Sequence, residues 1–82
     1  MNKRKLLAKI LSGSKNISFN DFVSLVEAYG FHLSRVRGSH HIFVHPDLPE
    51  ILNLQNVKGQ AKSYQIRQFL EIVESYDLEL ED

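Results

Sequence analysis

Cysteine and tryptophan are both missing from this 82-residue sequence, and proline occurs only twice. Without thiols the chain can form neither a disulfide framework nor a thiolate metal site, and that composition suits a reducing cytoplasm. Uninterrupted apolar runs of about 18 residues are also missing, which excludes a membrane-spanning helix. The basic start of the chain holds only a short apolar stretch broken by Lys9, so we expect no secretory signal and predict a cytoplasmic protein.

An excess of charge of either sign is missing as well, because ten basic residues balance ten acidic ones. The charges are nevertheless separated along the chain. Residues 1–67 contain all ten lysines and arginines and only four acids, whereas residues 68–82 contain the other six acids. A basic body can attract polyanions, and an acidic end can repel them or dock on a basic partner. A solvated helix face followed by a loose acidic tail explains the same pattern without a partner.

The length and the apolar content of 43% suffice for one packed core and one small domain. We therefore treat residues 1–82 as a single domain, with a helical extension at 1–14 and an acidic tail at 77–82. The extension carries a short helical stripe of apolar residues over 3–11, which ends before Ser12-Gly13-Ser14.

Two further helices are predicted, one on each side of a central segment. Ser18 is a typical N-cap, with Asp21 three residues later, and Gly30 is suited to end this helix in a left-handed conformation. Its apolar residues share one face: Phe22, Leu25, Val26 and Tyr29. The last helix is predicted from Ser63 to about Tyr76. Its apolar residues recur at i, i+3, i+4 and i+7: Ile66, Phe69, Leu70 and Val73.

Between these helices the pattern changes to the alternation of β-strands. The first strand covers 31–37, with the odd-numbered residues as far as Arg35 expected on one face and the even-numbered ones on the other. A tight Gly38-Ser39 turn leads into a second strand from His40 to His45, and a third strand runs from Glu50 to Gln55. The order predicts an α+β fold: a three-stranded antiparallel sheet with helices on one face and an extra N-terminal helix.

Three histidines within six residues, His40, His41 and His45, raise the question of a metal site. In a strand His41 and His45 share a face but stand about 13 Å apart, while His40 points to the opposite face. One zinc ion needs ligands about 2 Å away, so these rings cannot chelate it together. Hydrolysis by Ser39 is also disfavoured, because the ring of His40 diverges from it and no carboxylate is placed to orient that ring. We therefore predict neither a metal nor another cofactor.

A lone histidine with basic neighbours can still act on RNA, because RNA carries its own nucleophile. Imidazole can take the proton from a ribose 2′-hydroxyl or protonate the departing 5′-oxygen, and such help is worth about 10²–10⁴ in rate. His40 follows the turn, so its ring is expected to reach solvent on the face without helices. The side chains expected to hold phosphates are Arg35, Arg37, Lys58 and Lys62. Backbone N–H groups at Gly59 and at the start of the last helix are further candidates.

Structural roles are the alternative for several of these residues. His41 and His45 are expected to be half-buried and hydrogen-bonded on the same face as Phe43, and both Phe43 and Tyr64 are expected in the core. Arg35 interrupts the apolar face of its strand, and an ion pair with an acid would explain it without RNA.

The segment from Gly30 to Pro46 has a distinctive spacing: Gly30-Phe31-x-Leu33-x-Arg35-x-x-Gly38-Ser39-His40-His41-x-Phe43-x-His45-Pro46. It closely resembles the HicA family of toxins from HicA–HicB toxin–antitoxin systems, and the match covers roughly residues 18–74. The resemblance implies a double-stranded-RNA-binding-domain-like fold and a small endonuclease that cuts mRNA and is restrained by a HicB antitoxin covering its active face. It also implies that His40 is catalytic and that Gly38 and Ser39 form the turn that presents it, and we expect both turn residues to belong to the RNA- and phosphate-binding site.

Three features depart from the family's pattern: the helix at 3–11, a third strand without the Pro-His that often follows it, and the acidic tail. Two other functions therefore stand beside the toxin hypothesis. A non-catalytic RNA-binding module would keep the fold and the basic face. A protein-interaction domain would use the extra helix and the acidic end. None of these functions involves a membrane.

Overall fold

The chain folds in the order that its periodicity predicts. The computed structural model describes residues 2–13 and 16–80. Its elements, in chain order, are α1 (Lys3–Leu11), α2 (Phe19–Ala28), β1 (His32–Arg37), β2 (His40–Val44), β3 (Ile51–Gln55) and α3 (Ser63–Ser75). The α+β class is thus confirmed. Ser14 of the expected linker and the last two residues of the acidic tail lie outside the described residues.

The strands form one antiparallel three-stranded sheet with β2 in the middle. Gly38 and Ser39 connect β1 to β2, and Arg37 and His40 are the pair that closes this hairpin. Gly38 has a φ of +59°, a conformation that suits glycine at the first position of a two-residue hairpin loop. His40 therefore begins β2 directly after the turn, at one end of the sheet.

The helices cover one face of the sheet, as predicted. Phe43 of β2 and the two leucines of β3 are buried in one cluster with the apolar residues of α2 and α3. Phe69 of α3 lies at the centre of this cluster and is 0% exposed. Its ring makes tilted contacts with three others, at centroid distances of 5.5, 5.4 and 6.1 Å: Phe22, Tyr29 and Phe31. Such edge-on contacts add to the stabilisation that burial provides.

The extra helix α1 packs on α2. Leu6 and Ile10 join the common core, whereas Lys5 is exposed. The side-chain oxygen of Asn2 caps the helix by accepting hydrogen bonds from the N–H groups of Arg4 at 2.8 Å and Lys5 at 3.3 Å. Across residues 2–13 and 16–80, we find no helix that is long and apolar enough to cross a membrane.

Both ends of α2 are fixed as the sequence predicts. The hydroxyl of Ser18 accepts a hydrogen bond from the N–H of Asp21 at 3.1 Å. Gly30 has a φ of +98°, and its N–H donates to the carbonyl of Glu27 at 2.9 Å. Position 30 also has no room for a side chain, since a Cβ there would lie 2.8 Å from Nε2 of His45. Gly30 is therefore required both by its backbone conformation and by the close approach of an imidazole.

The residues after α3 tie down its end. Asp77 adopts a left-handed backbone conformation, with a φ of +52°. The N–H of Leu78 donates a hydrogen bond to a carbonyl in the last turn of α3 at 2.9 Å. Leu78 and Leu80 pack against the core, so the described part of the acidic tail is not loose. The hydroxyl of Tyr76 donates to Glu50 at 2.7 Å, and this bond raises the pKa of Tyr76 because it favours the neutral phenol that donates it.

Replacing Gly30 with alanine should lower the free energy of unfolding by about 3 kcal/mol, because a clash with His45 adds to the cost of a left-handed alanine. Gly13→Ala is the matched control. Gly13 has a φ of +88°, but an added Cβ would meet nothing within 4 Å, so the loss there should be about 1 kcal/mol. Urea unfolding followed by circular dichroism measures both losses, and equal values would contradict the steric role of His45.

Candidate active site on the uncovered sheet face

A β-bulge in β1 decides which side chains reach the uncovered face of the sheet. Leu33 pairs with Phe43 and Arg35 pairs with Ile42, so Ser34 is the extra residue of the bulge. Directly opposed residues share a face, and Phe43 and Ile42 point to opposite faces. The prediction that Leu33 and Arg35 share a face is therefore wrong, because the bulge turns Arg35 to the uncovered side.

His40 lies on this uncovered face, opposite Arg37 of β1 and Gln55 of β3. Its side chain is exposed, as expected. Nδ1 of the ring is 2.9 Å from Oδ1 of Asn53, so one ring nitrogen is held. The other nitrogen, Nε2, has no partner in the part of the chain that the structure describes. An imidazole that is positioned in this way can exchange a proton with a molecule on the uncovered face.

The other two histidines of the motif have structural surroundings. The ring of His41 lies 4.8 Å from that of Phe19, and its Nδ1 is 3.3 Å from a backbone carbonyl of the hairpin turn. His45 packs edge-on against Phe31 at 5.1 Å, and its Nδ1 accepts a hydrogen bond from the N–H of Asp47 at 3.1 Å. Both side chains are partly buried, which confirms the expectation of half-buried, hydrogen-bonded histidines.

The geometry separates the residues that metal binding or serine hydrolysis would have to combine. His40 and His41 are successive residues of β2 and point to opposite faces. No three histidine or acidic side chains of the described residues come together in a group that could hold a metal ion. The hydroxyl of Ser39 accepts a long 3.5 Å hydrogen bond from Nε2 of Gln55, and within residues 2–13 and 16–80 it has no hydrogen bond with an imidazole. The arrangement therefore favours proton transfer by one histidine, which Gly38 and Ser39 present at the start of β2.

Two arginines flank His40 on the uncovered face. Arg37 pairs with His40 itself, and Arg35 pairs with Ile42, the next residue of β2 on this face. Both side chains are exposed, and neither has an acidic partner within residues 2–13 and 16–80. An ion pair with an acid of the described residues therefore does not explain Arg35, and both exposed guanidinium groups are accessible to an anion.

The loop after β3 brings Lys58 to the same end of the sheet. The N–H of Asn56 donates to the carbonyl of Ser39 at 3.0 Å and so joins this loop to the hairpin. The backbone of Lys58 has a left-handed conformation, with a φ of +52°, which is unfavourable for a residue with a side chain. The N–H of Gly59 already donates to the side chain of Asn56 at 2.7 Å. The expectation that Gly59 offers a free N–H group to phosphate is therefore wrong.

Lys62 is the N-cap residue of α3, where no side chain caps the first turn. Its ammonium group lies 5.6 Å from the centre of the Tyr64 ring, within the range of a cation–π contact. Tyr64 is 55% exposed, so its expected place in the core is wrong, whereas Phe43 is 1% exposed and confirmed. The buried face of α3 begins only at Gln65, and the ring of the preceding residue therefore projects into solvent.

Three amide side chains on or beside β3 were missed by sequence reasoning. Asn53 contacts its ring and Gln55 lies opposite it, while Gln65 of α3 is 2% exposed. The amide of Gln65 donates to the carbonyl of Asn53 and accepts from the N–H of Gln55, both at 3.1 Å. These bonds give the edge of β3 the partners that a fourth strand would supply. A signal was available, because Gln65 lies on the apolar stripe of α3, where a polar side chain needs an internal partner.

Fold and site together define a class of protein: a small α+β domain of the double-stranded-RNA-binding type that presents an exposed histidine and two arginines on a bare sheet face. A family model described as HicA toxin of bacterial toxin–antitoxin systems matches residues 19–74, more than half of the chain. The chain therefore belongs to the HicA toxin family, and a toxin of such a system has an antitoxin partner. A search of the curated proteins found no match, and a search of the solved structures found none either.

Removing the amide of Gln65 should weaken the attachment of α3 to β3. Gln65→Ala leaves a carbonyl and an N–H group of β3 without partners, so the free energy of unfolding should fall by about 2–4 kcal/mol. Gln68→Ala, at an exposed position of the same helix, should change it by less than about 0.5 kcal/mol. Hydrogen exchange checks the cause: the Gln55 amide should lose protection in Gln65→Ala, and retained protection would contradict the bond.

Proposed function

We propose that this toxin is a metal-independent endoribonuclease that cuts mRNA, with His40 as general acid or general base. The observation that carries the proposal is an exposed imidazole, held through one nitrogen, on a bare sheet face beside Arg35 and Arg37. Membership of the HicA family supports the same activity. The toxin would act in the cytoplasm, where mRNA is translated, and its antitoxin would be HicB-like and cover this face.

The reaction requires one proton to leave the ribose and one to reach the leaving group. The 2′-oxygen attacks the adjacent phosphorus as it loses its proton, and the bond between phosphorus and the 5′-oxygen breaks. The departing oxygen takes up a proton, so the products are a 2′,3′-cyclic phosphate and a 5′-hydroxyl. His40 accepts the first proton or donates the second, and water serves the other step. Help of this kind is worth about 10²–10⁴ in rate.

The basic residues supply the electrostatic part of this mechanism. Negative charge grows on the phosphate oxygens as the 2′-oxygen attacks, and the guanidinium groups of Arg35 and Arg37 can donate hydrogen bonds to them. Lys58 and Lys62 would hold neighbouring phosphates of the bound strand. Gly38 and Ser39 add little bulk at the turn, so the RNA backbone can approach His40 closely.

His40→Ala should abolish cleavage of a labelled single-stranded RNA and leave the thermal midpoint nearly unchanged, because the side chain is exposed. The matched control is His32→Ala, which removes an exposed histidine from the far end of β1 and should cut like the wild type. Both are assayed without antitoxin and in EDTA, which should not slow the wild-type protein.

The same assay separates the alternatives. Equal cutting by wild type and His40→Ala would assign the activity to another residue, and inhibition by EDTA would contradict a metal-independent mechanism. Salt-sensitive RNA binding without cleavage by either protein would select the non-catalytic RNA-binding module, which the exposed arginines also fit. Absence of RNA binding at low salt would exclude both RNA functions and favour the third hypothesis, a protein-interaction domain.

Arg37→Ala should weaken RNA binding to a similar extent for different sequences. It should also reduce the slope of log affinity against log salt concentration by about 0.7–0.9, because one phosphate contact is lost. The measurement is made in a His40→Ala background, so that the RNA remains intact. Lys5→Ala removes the same charge from α1 and should leave the slope unchanged. Equal slopes for the two variants would place the RNA on a different surface.

A further inference from the structure

Asn53 contacts the ring of His40 from the neighbouring strand. It pairs with Ile42, two residues beyond His40 on the same face of β2, so its side chain approaches His40 diagonally. Its Oδ1 lies 2.9 Å from Nδ1 of the imidazole. Gln55 lies directly opposite His40, but its amide nitrogen reaches Ser39 instead, at 3.5 Å. Asn53 is therefore the residue that holds the catalytic ring.

An amide oxygen can only accept a hydrogen bond, so the contact with Oδ1 of Asn53 is a hydrogen bond when Nδ1 of His40 carries the proton. In the neutral ring Nε2 is then the unprotonated nitrogen, and among the described residues it is the ring nitrogen of this exposed side chain that has no hydrogen-bond partner. We propose that Asn53 is a positioning residue for His40, which fixes the Nδ1–H tautomer and makes Nε2 the atom that exchanges protons with RNA. This inference rests on the proposed ribonuclease activity.

The backbone that carries Asn53 is itself held at the outer edge of β3. Gln65 is 2% exposed and bonds to the carbonyl of Asn53 and to the N–H of Gln55, both at 3.1 Å. These two bonds hold the backbone at Asn53 and immediately after it, and so limit the movement of this part of β3. The position of the His40 ring is thus set by a chain of contacts from the buried face of α3 through β3 to the uncovered face.

The charged and titratable groups around His40 are few. Arg35 and Arg37 face it from β1, Lys58 lies in the loop after β3, and His32 lies at the far end of the same face. The residues that β3 directs toward it, Asn53 and Gln55, are neutral amides. A carboxylate placed at position 53 would therefore add a negative charge on the strand beside the ring, where the described residues of β1 and β3 that pair near His40 carry none.

Two variants test the role. Asn53→Ala should release the ring to the other tautomer and lower kcat by about tenfold or more, with KM nearly unchanged. Asn53→Asp keeps an acceptor and adds a charge that favours the imidazolium, so it should keep the tautomer and move the midpoint of the pH–rate profile upward by about one unit. Ile51→Ala is the control, because Ile51 lies on the same strand and face but beyond reach of the ring. It should change neither kcat nor the midpoint of the pH–rate profile.

Nitrogen-15 NMR of the free protein reads the tautomer without RNA. Neutral His40 should show a protonated Nδ1 and an unprotonated Nε2 in the wild type and in Asn53→Asp, and this pattern should be lost in Asn53→Ala. A proton on Nε2 of the wild type, or cleavage by Asn53→Ala equal to that of the wild type, would overturn the positioning role. Failure of the proposed function is distinguishable, since it appears as cleavage that survives His40→Ala, or as no cleavage by the wild type, while the tautomer is as expected.

Discussion

Phe69 packs against three aromatic rings, and through them α3 is fixed to α2 and to the segment that leads into β1. Gln65 lies one helical turn earlier on the same stripe, so this packing also brings its amide to the edge of β3. The helices therefore bury their apolar surface against one face of the sheet. The side that carries His40 remains in contact with solvent, and its strands are held from behind by the core.

Local rules were sufficient for much of this arrangement. The caps of α2 and the glycine turn before His40 predicted where the elements begin and end, and alternation in β2 predicted which face His40 takes. Arg35 was misplaced because the bulge at Ser34 depends on pairing with β2 and has no local signature. The exposure of Tyr64 depends on where α3 first meets the sheet, and the bond that occupies the N–H of Gly59 depends on the rotamer of Asn56. These features depend on tertiary contacts, and the periodicity of a single sequence cannot predict them.

The histidines of the motif show how one residue type serves two purposes within six positions. His41 and His45 fill space beside Phe19 and Phe31 and bond to backbone groups, whereas His40 alone faces solvent. Successive side chains of β2 point to opposite faces of the sheet, and this alternation separates His40 from His41. Along the chain the motif resembles a cluster of ligands, but in space it consists of one exposed ring and two packing rings. The packing role of His45 also explains why position 30 must be glycine.

β1 has a further property that follows from its bulge. In the described residues Gln65 occupies the edge of β3, so β1 is the edge of the sheet that no other element covers. Unpaired N–H and C=O groups along such an edge invite strands of other molecules. The bulge at Ser34 breaks their regular spacing, and Arg35 and Arg37 would repel the same strand of a second copy. Arg35 and Arg37, to which we assign phosphate contacts, therefore also disfavour edge-to-edge aggregation, so the proposed activity and the resistance to aggregation constrain the same short stretch of sequence.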